Sequence, residues 1–92
     1  MLREFFSKSA SRLTGHRAVL FGSRARGDAK PRSDFDIGVI GASPLPLEDF
    51  YELADQLDAL HTLYRIDWVD LTLVSEKFRN SALRNTAVLY EA

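Results

Sequence analysis

The residues best able to do chemistry lie between positions 22 and 36, where a glycine and a serine precede two aspartates. Gly22 and Ser23 follow a short apolar run, so they would stand at the end of a buried strand, where backbone N–H groups and a hydroxyl can receive an anion. Asp34 and Asp36 are two residues apart, so on a strand their carboxylates share one face, ~6.6 Å apart along the chain. At an effective dielectric near 20, two such anions repel by about 2.5 kcal/mol.

A divalent cation removes this repulsion, which stability alone would not favour. Mg²⁺ prefers sites built from a few carboxylates and completed by phosphate oxygens. Positive charge surrounds the same loop at Arg24, Arg26, Lys30 and Arg32. The alternative interpretation is a solvated strand face beside a basic loop. The ordered combination of a glycine-serine turn, a polar loop and paired aspartates favours a site for metal and phosphate.

A third carboxylate from another strand commonly completes a two-metal site of this kind, whose chemistry is in-line displacement at phosphorus. Asp67 and Asp70 are the candidates, and because they are three residues apart they point to opposite faces of a strand. An unpaired charge at Asp67 would be costly between Ile66 and Trp68. We therefore favour Asp67 as the third acid and expect a solvated or helix-capping role for Asp70.

Length and composition predict one domain over residues 1–92, with the apolar and charged shares (46% and 27%) of a globular protein. The absence of cysteine excludes a disulfide scaffold and a thiol nucleophile, and it agrees with a cytoplasmic location. No apolar run is long enough to cross a membrane. The net charge of −1 counts against direct nucleic-acid binding, although residues 1–32 carry eight Lys/Arg against two Asp/Glu and residues 33–92 carry four against eleven.

The hydrophobic pattern positions these residues on alternating helices and strands. The predicted order is a helix (2–13), a strand (17–21), a loop (22–33), a strand (34–40), a helix (47–61), a strand (65–74), a helix (76–86) and a strand (87–90). In the second strand, Asp36 and Gly38 face away from Ile37 and Val39. The last helix is polar and directs Phe78, Ala82 and Leu83 inward. This order predicts an α/β (α+β) domain with one small mixed β-sheet and helices packed on one face.

The segment GSRARGDAKPRSDFDIGV resembles the signature of nucleotidyltransferases with the DNA polymerase beta fold, and most closely that of the minimal nucleotidyltransferases, small relatives of kanamycin nucleotidyltransferase. IDWVDL resembles the strand that carries the family's third acid, and RNTAVLYEA resembles its terminal helix and strand. The resemblance covers residues 17–91. It implies transfer of a nucleoside monophosphate, usually AMP, from a nucleoside triphosphate to a hydroxyl, with release of pyrophosphate.

The same resemblance implies the ligands and the roles of the site residues. Two Mg²⁺ ions and ATP or another nucleoside triphosphate would occupy the site. Gly22 and Ser23 would hold the triphosphate, with Arg26 as a further phosphate contact. Three aspartates would be both catalytic and metal-binding: Asp34, Asp36 and Asp67. Of these, Asp67 would also help to activate the hydroxyl.

A partner protein is the remaining expectation, because this chain has little surface left to enclose an acceptor. The resemblance implies a separate helical partner of the HEPN type, which the chain would inhibit as an antitoxin, by adding AMP to a hydroxyl such as that of a tyrosine or by covering the partner's site. Phe5 and Phe6 would form part of the interface. Two alternatives stay open: a nucleotide-binding module that docks without catalysis, and a subunit that adds nucleotides to an RNA end.

Overall fold

The computed structural model describes residues 2–22, 25, 27, 35–60 and 65–91. Within them, the helices are α1 (Leu2–Lys8), α2 (Leu47–Asp58) and α3 (Glu76–Leu83), with a short 3₁₀ helix at Ala10–Arg12 after α1. The strands are β1 (His16–Phe21), β2 (Phe35–Gly41), β3 (Ile66–Asp70) and β4 (Ala87–Glu91). Each helix and strand that the sequence predicts is therefore found, with changes at its ends. Most of the predicted loop over residues 22–33 lies outside the described residues.

Two predicted elements end early because side chains bond to the backbone. The first helix ends at Lys8, since the Ser9 hydroxyl donates to the Phe5 carbonyl at 3.1 Å, a bond that bends helices, and the chain continues as the 3₁₀ helix. The predicted strand over 65–74 ends at Asp70, whose carboxylate accepts the Thr72 N–H at 2.9 Å and so stabilises a turn. A run of β-branched residues does not reveal such a turn.

The sheet is mixed, as predicted, and its strand order is β3-β2-β1-β4. Strand β1 is antiparallel to both β2 and β4, whereas β2 and β3 are parallel. The loop-side end of β1 therefore lies beside the start of β2, and the start of β3 lies on the other side of β2. That corner of the sheet holds the residues that the sequence singled out.

The two faces of the sheet are covered by different helices. One face carries Ala18, Ile37 and Val39, which join buried residues of α1 and α2 in the larger core, including Phe6 and Leu53. The expectation of helices packed on one face of the sheet therefore holds for α1 and α2.

The other face carries a smaller core of Val19, Phe21, Leu71 and Ala82, the last of which belongs to α3. The third helix thus packs on the face opposite to α1 and α2, because Val19 and Phe21 alternate with Ala18 along β1 and are apolar as well. A strand that is apolar on both faces needs cover on both.

The first helix does not present Phe6 at the surface, so the expected interface role of Phe6 is wrong. Phe6 is fully buried and stacks on Trp68, with ring centroids 5.8 Å apart. Phe5 packs against the same core. Among the described residues, the most exposed large apolar side chains are instead Leu47 (65%), Tyr51 (62%) and Leu73 (64%). We call these three residues the apolar patch.

Candidate active site

Asp36 and Asp67 are direct neighbours across two parallel strands. The register pairs Asp36 of β2 with Asp67 of β3, and Gly38 with Val69. Neighbouring strands lie about 4.8 Å apart, so the two carboxylates start from adjacent backbone positions on the same face of the sheet. This is the face of Val19 and Val69, away from the larger core, as the alternation in the sequence predicted for Asp36.

Gly22 approaches the same carboxylate from β1. Its φ is +75°, a conformation that L side chains rarely adopt, and a Cβ built on it would overlap the Asp36 carboxylate, with its Cγ only 3.1 Å away. The residue before it, Phe21, is the register partner of Asp36 on β1. The absence of a side chain at position 22 therefore lets backbone and carboxylate meet closely.

Asp67 is accessible and carries a weak partner. Its Oδ1 lies 3.3 Å from the Arg65 Nε, and the two side chains are 37% and 78% exposed. An ion pair that is this exposed contributes only about 0–1 kcal/mol, so the guanidinium can leave the carboxylate at little cost. Asp67 can thus exchange this contact for a ligand at the site.

Asp70 lies on the opposite face and serves the fold. It is 7% exposed, and its two oxygens accept the backbone N–H groups of Leu45 and Thr72, each at 2.9 Å. The expectation of a solvated side chain is therefore wrong. Asp70 does cap backbone N–H groups, but these belong to a turn and to the segment before α2. The two aspartates point to opposite faces, as their spacing predicted.

Three of the predicted site residues are thus brought together: Gly22, Asp36 and Asp67. The other three, Ser23, Arg26 and Asp34, lie outside the described residues, as do Arg24, Lys30 and Arg32. In the described part of the chain, no group of three or more His, Cys, Asp or Glu side chains is arranged to hold a metal. Of the three predicted acids, Asp36 and Asp67 are therefore the two whose position the structure describes.

Several pockets lie around the sheet, and their positions separate the site from the rest. A pocket of about 430 Å³ is lined by Gly15, His16 and Gly41, at the end of β1 far from Asp36, so it takes no part in this site. A pocket of about 320 Å³ includes Arg65 and Asp67 in its lining. A smaller one, of about 170 Å³, borders Gly22 on the side of α3.

Phe78 is the residue near this site whose position differs from the sequence prediction. The pattern of α3 directs it inward, but it is 47% exposed, and it contacts Phe21 with ring centroids 6.3 Å apart.

Comparison with known proteins gives a consistent result. The family model described as Polymerase beta, Nucleotidyltransferase matches residues 8–92. The Probable protein adenylyltransferase MntA of Haemophilus influenzae is 32% identical over 71 residues, which make up 77% of this chain and 62% of that protein. The chain therefore spans less than two thirds of the length of this curated relative.

Solved structures share the fold. A chain described as a minimal nucleotidyltransferase matches with a TM-score of 0.69 and 32% identity, over 92% of this chain and 86% of that one. A chain from the structure of a tri-AMPylated Shewanella oneidensis HEPN toxin in complex with MNT antitoxin matches with a TM-score of 0.61 and 26% identity, over 100% of this chain and 74% of that one. These matches confirm the predicted fold class.

In the described part of this chain, no helix is long and apolar enough to cross a membrane.

Proposed function

Because this chain belongs to the polymerase beta nucleotidyltransferase family, we propose that it transfers AMP from ATP to a hydroxyl group and releases pyrophosphate. The observation that carries the proposal is the pairing of Asp36 with Asp67 on neighbouring parallel strands, with the Gly22 backbone against the Asp36 carboxylate. Family membership supports the reaction class, and this geometry supports the location of the reaction in this chain.

The paired carboxylates fit Mg²⁺, because they supply hard oxygen ligands from adjacent backbone positions, and the arginine that pairs with Asp67 is exposed and easily displaced. In the proposal, Asp34, Asp36 and Asp67 hold two Mg²⁺ ions. When bound, these ions would neutralise the triphosphate and favour the deprotonated form of the attacking hydroxyl. Asp67 orients that hydroxyl opposite the leaving pyrophosphate.

The triphosphate is held in this proposal by the chain that follows β1. Gly22 and Ser23 offer backbone N–H groups and a hydroxyl to its oxygens, and Arg26 adds a positive charge. The close approach of Gly22 to Asp36 supports this arrangement, because phosphate oxygens held by the backbone would lie directly beside the carboxylates. Ser23, Arg26 and Asp34 enter the proposal from the sequence.

The acceptor is proposed to be a helical HEPN-type protein. The solved relative at 26% identity is an MNT antitoxin in complex with an AMPylated HEPN toxin, and the curated relative is described as a protein adenylyltransferase. We therefore propose that the chain is the antitoxin of such a pair and modifies a partner hydroxyl, for example that of a tyrosine, in the cytoplasm.

A second candidate, inhibition by docking alone, is favoured by the apolar patch. Leu47, Tyr51 and Leu73 border one pocket of about 300 Å³. Exposed carboxylates follow on α2, and the sequence has no Lys or Arg between residues 33 and 64. A partner that covers this surface would place apolar side chains at its centre and Lys or Arg around them.

Co-expression with a helical HEPN-type protein tests both candidates. The partner is purified and its intact mass is measured after co-expression with the wild type, with Asp36→Asn and with Asp67→Asn. Transfer predicts whole AMP units on the partner with the wild type and none with either variant. A partner that is bound and inhibited but unmodified in all three cases would support docking alone and contradict transfer.

A further inference from the structure

Phe78 stands half exposed in a small pocket beside the paired carboxylates. The pocket has a volume of about 170 Å³ and is lined by Phe21, Gly22, Phe78, Ser81 and Ala82. The Phe21 ring is buried, and it contacts the Phe78 ring in an edge-to-face arrangement with an interplanar angle of 85°. Phe78 is thus supported from the core side while part of its surface is left uncovered.

The pocket adjoins the candidate active site through two backbone neighbours. Phe21 is the register partner of Asp36, so both side chains lie on the sheet face that also carries Asp67. Gly22 lines the pocket and also contacts the Asp36 carboxylate. A molecule whose phosphates lie beside Gly22 and the carboxylates would therefore extend next to Phe78.

The helix that carries Phe78 is fixed to the turn after β3 by charge-assisted bonds. The Arg79 guanidinium donates to three carbonyl oxygens of the preceding turn, those of Leu71 (2.8 Å), Thr72 (3.2 Å) and Val74 (3.1 Å). The Ser75 hydroxyl accepts the Phe78 N–H at 3.2 Å and caps the helix. The backbone of Phe78 is therefore held in place before any ligand binds.

We propose that Phe78 is the stacking surface for the base of the nucleotide donor, an inference that rests on the proposed function. The pocket is smaller than the roughly 300–1,000 Å³ of sites for whole drug-sized ligands, so it suits one flat ring system and not a complete nucleotide. Three of the described residues that line it are apolar, namely Phe21, Phe78 and Ala82, and the Ser81 side chain offers a hydrogen-bonding group. Every base has a flat π face, so stacking on Phe78 would strengthen binding of all four nucleotides.

Calorimetry with ATP and with inorganic triphosphate, both with Mg²⁺, separates the base from the phosphates. Loss of one base–aromatic stack weakens binding by roughly 5- to 150-fold, so we expect this loss for ATP with Phe78→Ala. Triphosphate, which has no base, should bind Phe78→Ala within about twofold of the wild type. Phe78→Tyr keeps a ring and should retain ATP affinity, whereas Phe78→Leu keeps apolar volume without a ring and should lose it. Val88→Ala, at an apolar position that is 40% exposed and outside the pocket, is the matched control and should bind ATP as the wild type does.

The outcomes distinguish this inference from the proposed function. Equal ATP affinity of the wild type and Phe78→Ala would overturn the stacking role and leave the proposed function standing. An equal loss of ATP and triphosphate affinity in Phe78→Ala would overturn it as well, because the change would then act on the phosphate site. A wild type that binds neither ligand would overturn both. Thermal melting of each variant shows whether it is folded, and the comparison of Phe78→Leu with Phe78→Tyr tests the inference even if Phe78→Ala does not fold.

Discussion

Replacement of Gly22 by alanine should damage both the fold and the nucleotide site, through two separable effects. The first is conformational: an L residue at a φ of +75° costs roughly 1–2 kcal/mol. The second is steric: the new Cβ would overlap the Asp36 carboxylate and force that side chain to move, at a cost of about 1–3 kcal/mol. The sum is a loss of about 2–5 kcal/mol in the free energy of unfolding.

Gly15 provides the matched control because it has the same φ of +75° with no atom within 4 Å of a built Cβ. Gly15→Ala should therefore lose only the conformational part, about 1–2 kcal/mol. Urea denaturation of both variants measures the difference, and removal of the carboxylate in Gly22→Ala/Asp36→Ala should restore the steric part. Equal losses for Gly22→Ala and Gly15→Ala would refute the contact between backbone and carboxylate. Mg²⁺-ATP affinity should fall in Gly22→Ala and persist in Gly15→Ala.

Three further predictions concern the aspartates. Mg²⁺-ATP at 100 times its Kd should stabilise the wild type by about 2.7 kcal/mol and raise the Tm by on the order of 10–20 °C. In a thermal shift assay, Asp36→Asn should lose the part of this shift that depends on Mg²⁺, and an equal shift in that variant would contradict a metal-binding role of Asp36. Asp67→Asn should lose AMP transfer while its free energy of unfolding changes by less than about 1 kcal/mol, since its ion pair with Arg65 is exposed. Wild-type activity in this variant would exclude Asp67 as an acid of the site. Asp70→Asn should unfold about 2 kcal/mol more easily in urea, because an NH₂ group replaces one of the two oxygens that accept backbone N–H groups, and Asp70 itself is buried. Transfer per folded molecule should stay near that of the wild type. Loss of transfer without loss of stability would show that Asp70 acts in the reaction.

The facing of the site residues could be predicted because strands have a period of two. Alternation along residues 34–40 assigned Asp36 and Gly38 to one face and Ile37 and Val39 to the other, and the register confirms this assignment. The three-residue spacing of Asp67 and Asp70 likewise predicted opposite faces. The sheet face of a residue depends on its spacing from its neighbours along the strand, so it can be predicted from a single sequence.

Contacts between segments that are distant in the sequence could not be predicted from the hydrophobic pattern. Phe6 follows helical spacing, but only the fold shows that it stacks on Trp68 and is buried. The pattern of α3 identifies an apolar side but does not say which sheet face receives it, so the packing of Ala82 against Val19 and Phe21 could not be predicted. The exposure of Phe78 has the same cause, because β1 supplies only a partial cover.

Transfer of label from ATP to the purified HEPN-type partner tests the central claim most directly. The reaction is run with ATP labelled at the α-phosphate or at the γ-phosphate, in the presence of Mg²⁺ or a chelator. The account predicts that α-label enters the partner only with Mg²⁺, that γ-label does not enter it, and that Asp36→Asn and Asp67→Asn abolish transfer while Asp70→Asn retains it. Incorporation of γ-label, or α-label transfer that survives in both Asp36→Asn and Asp67→Asn, would contradict the assignment of nucleotidyl transfer to this pair of carboxylates.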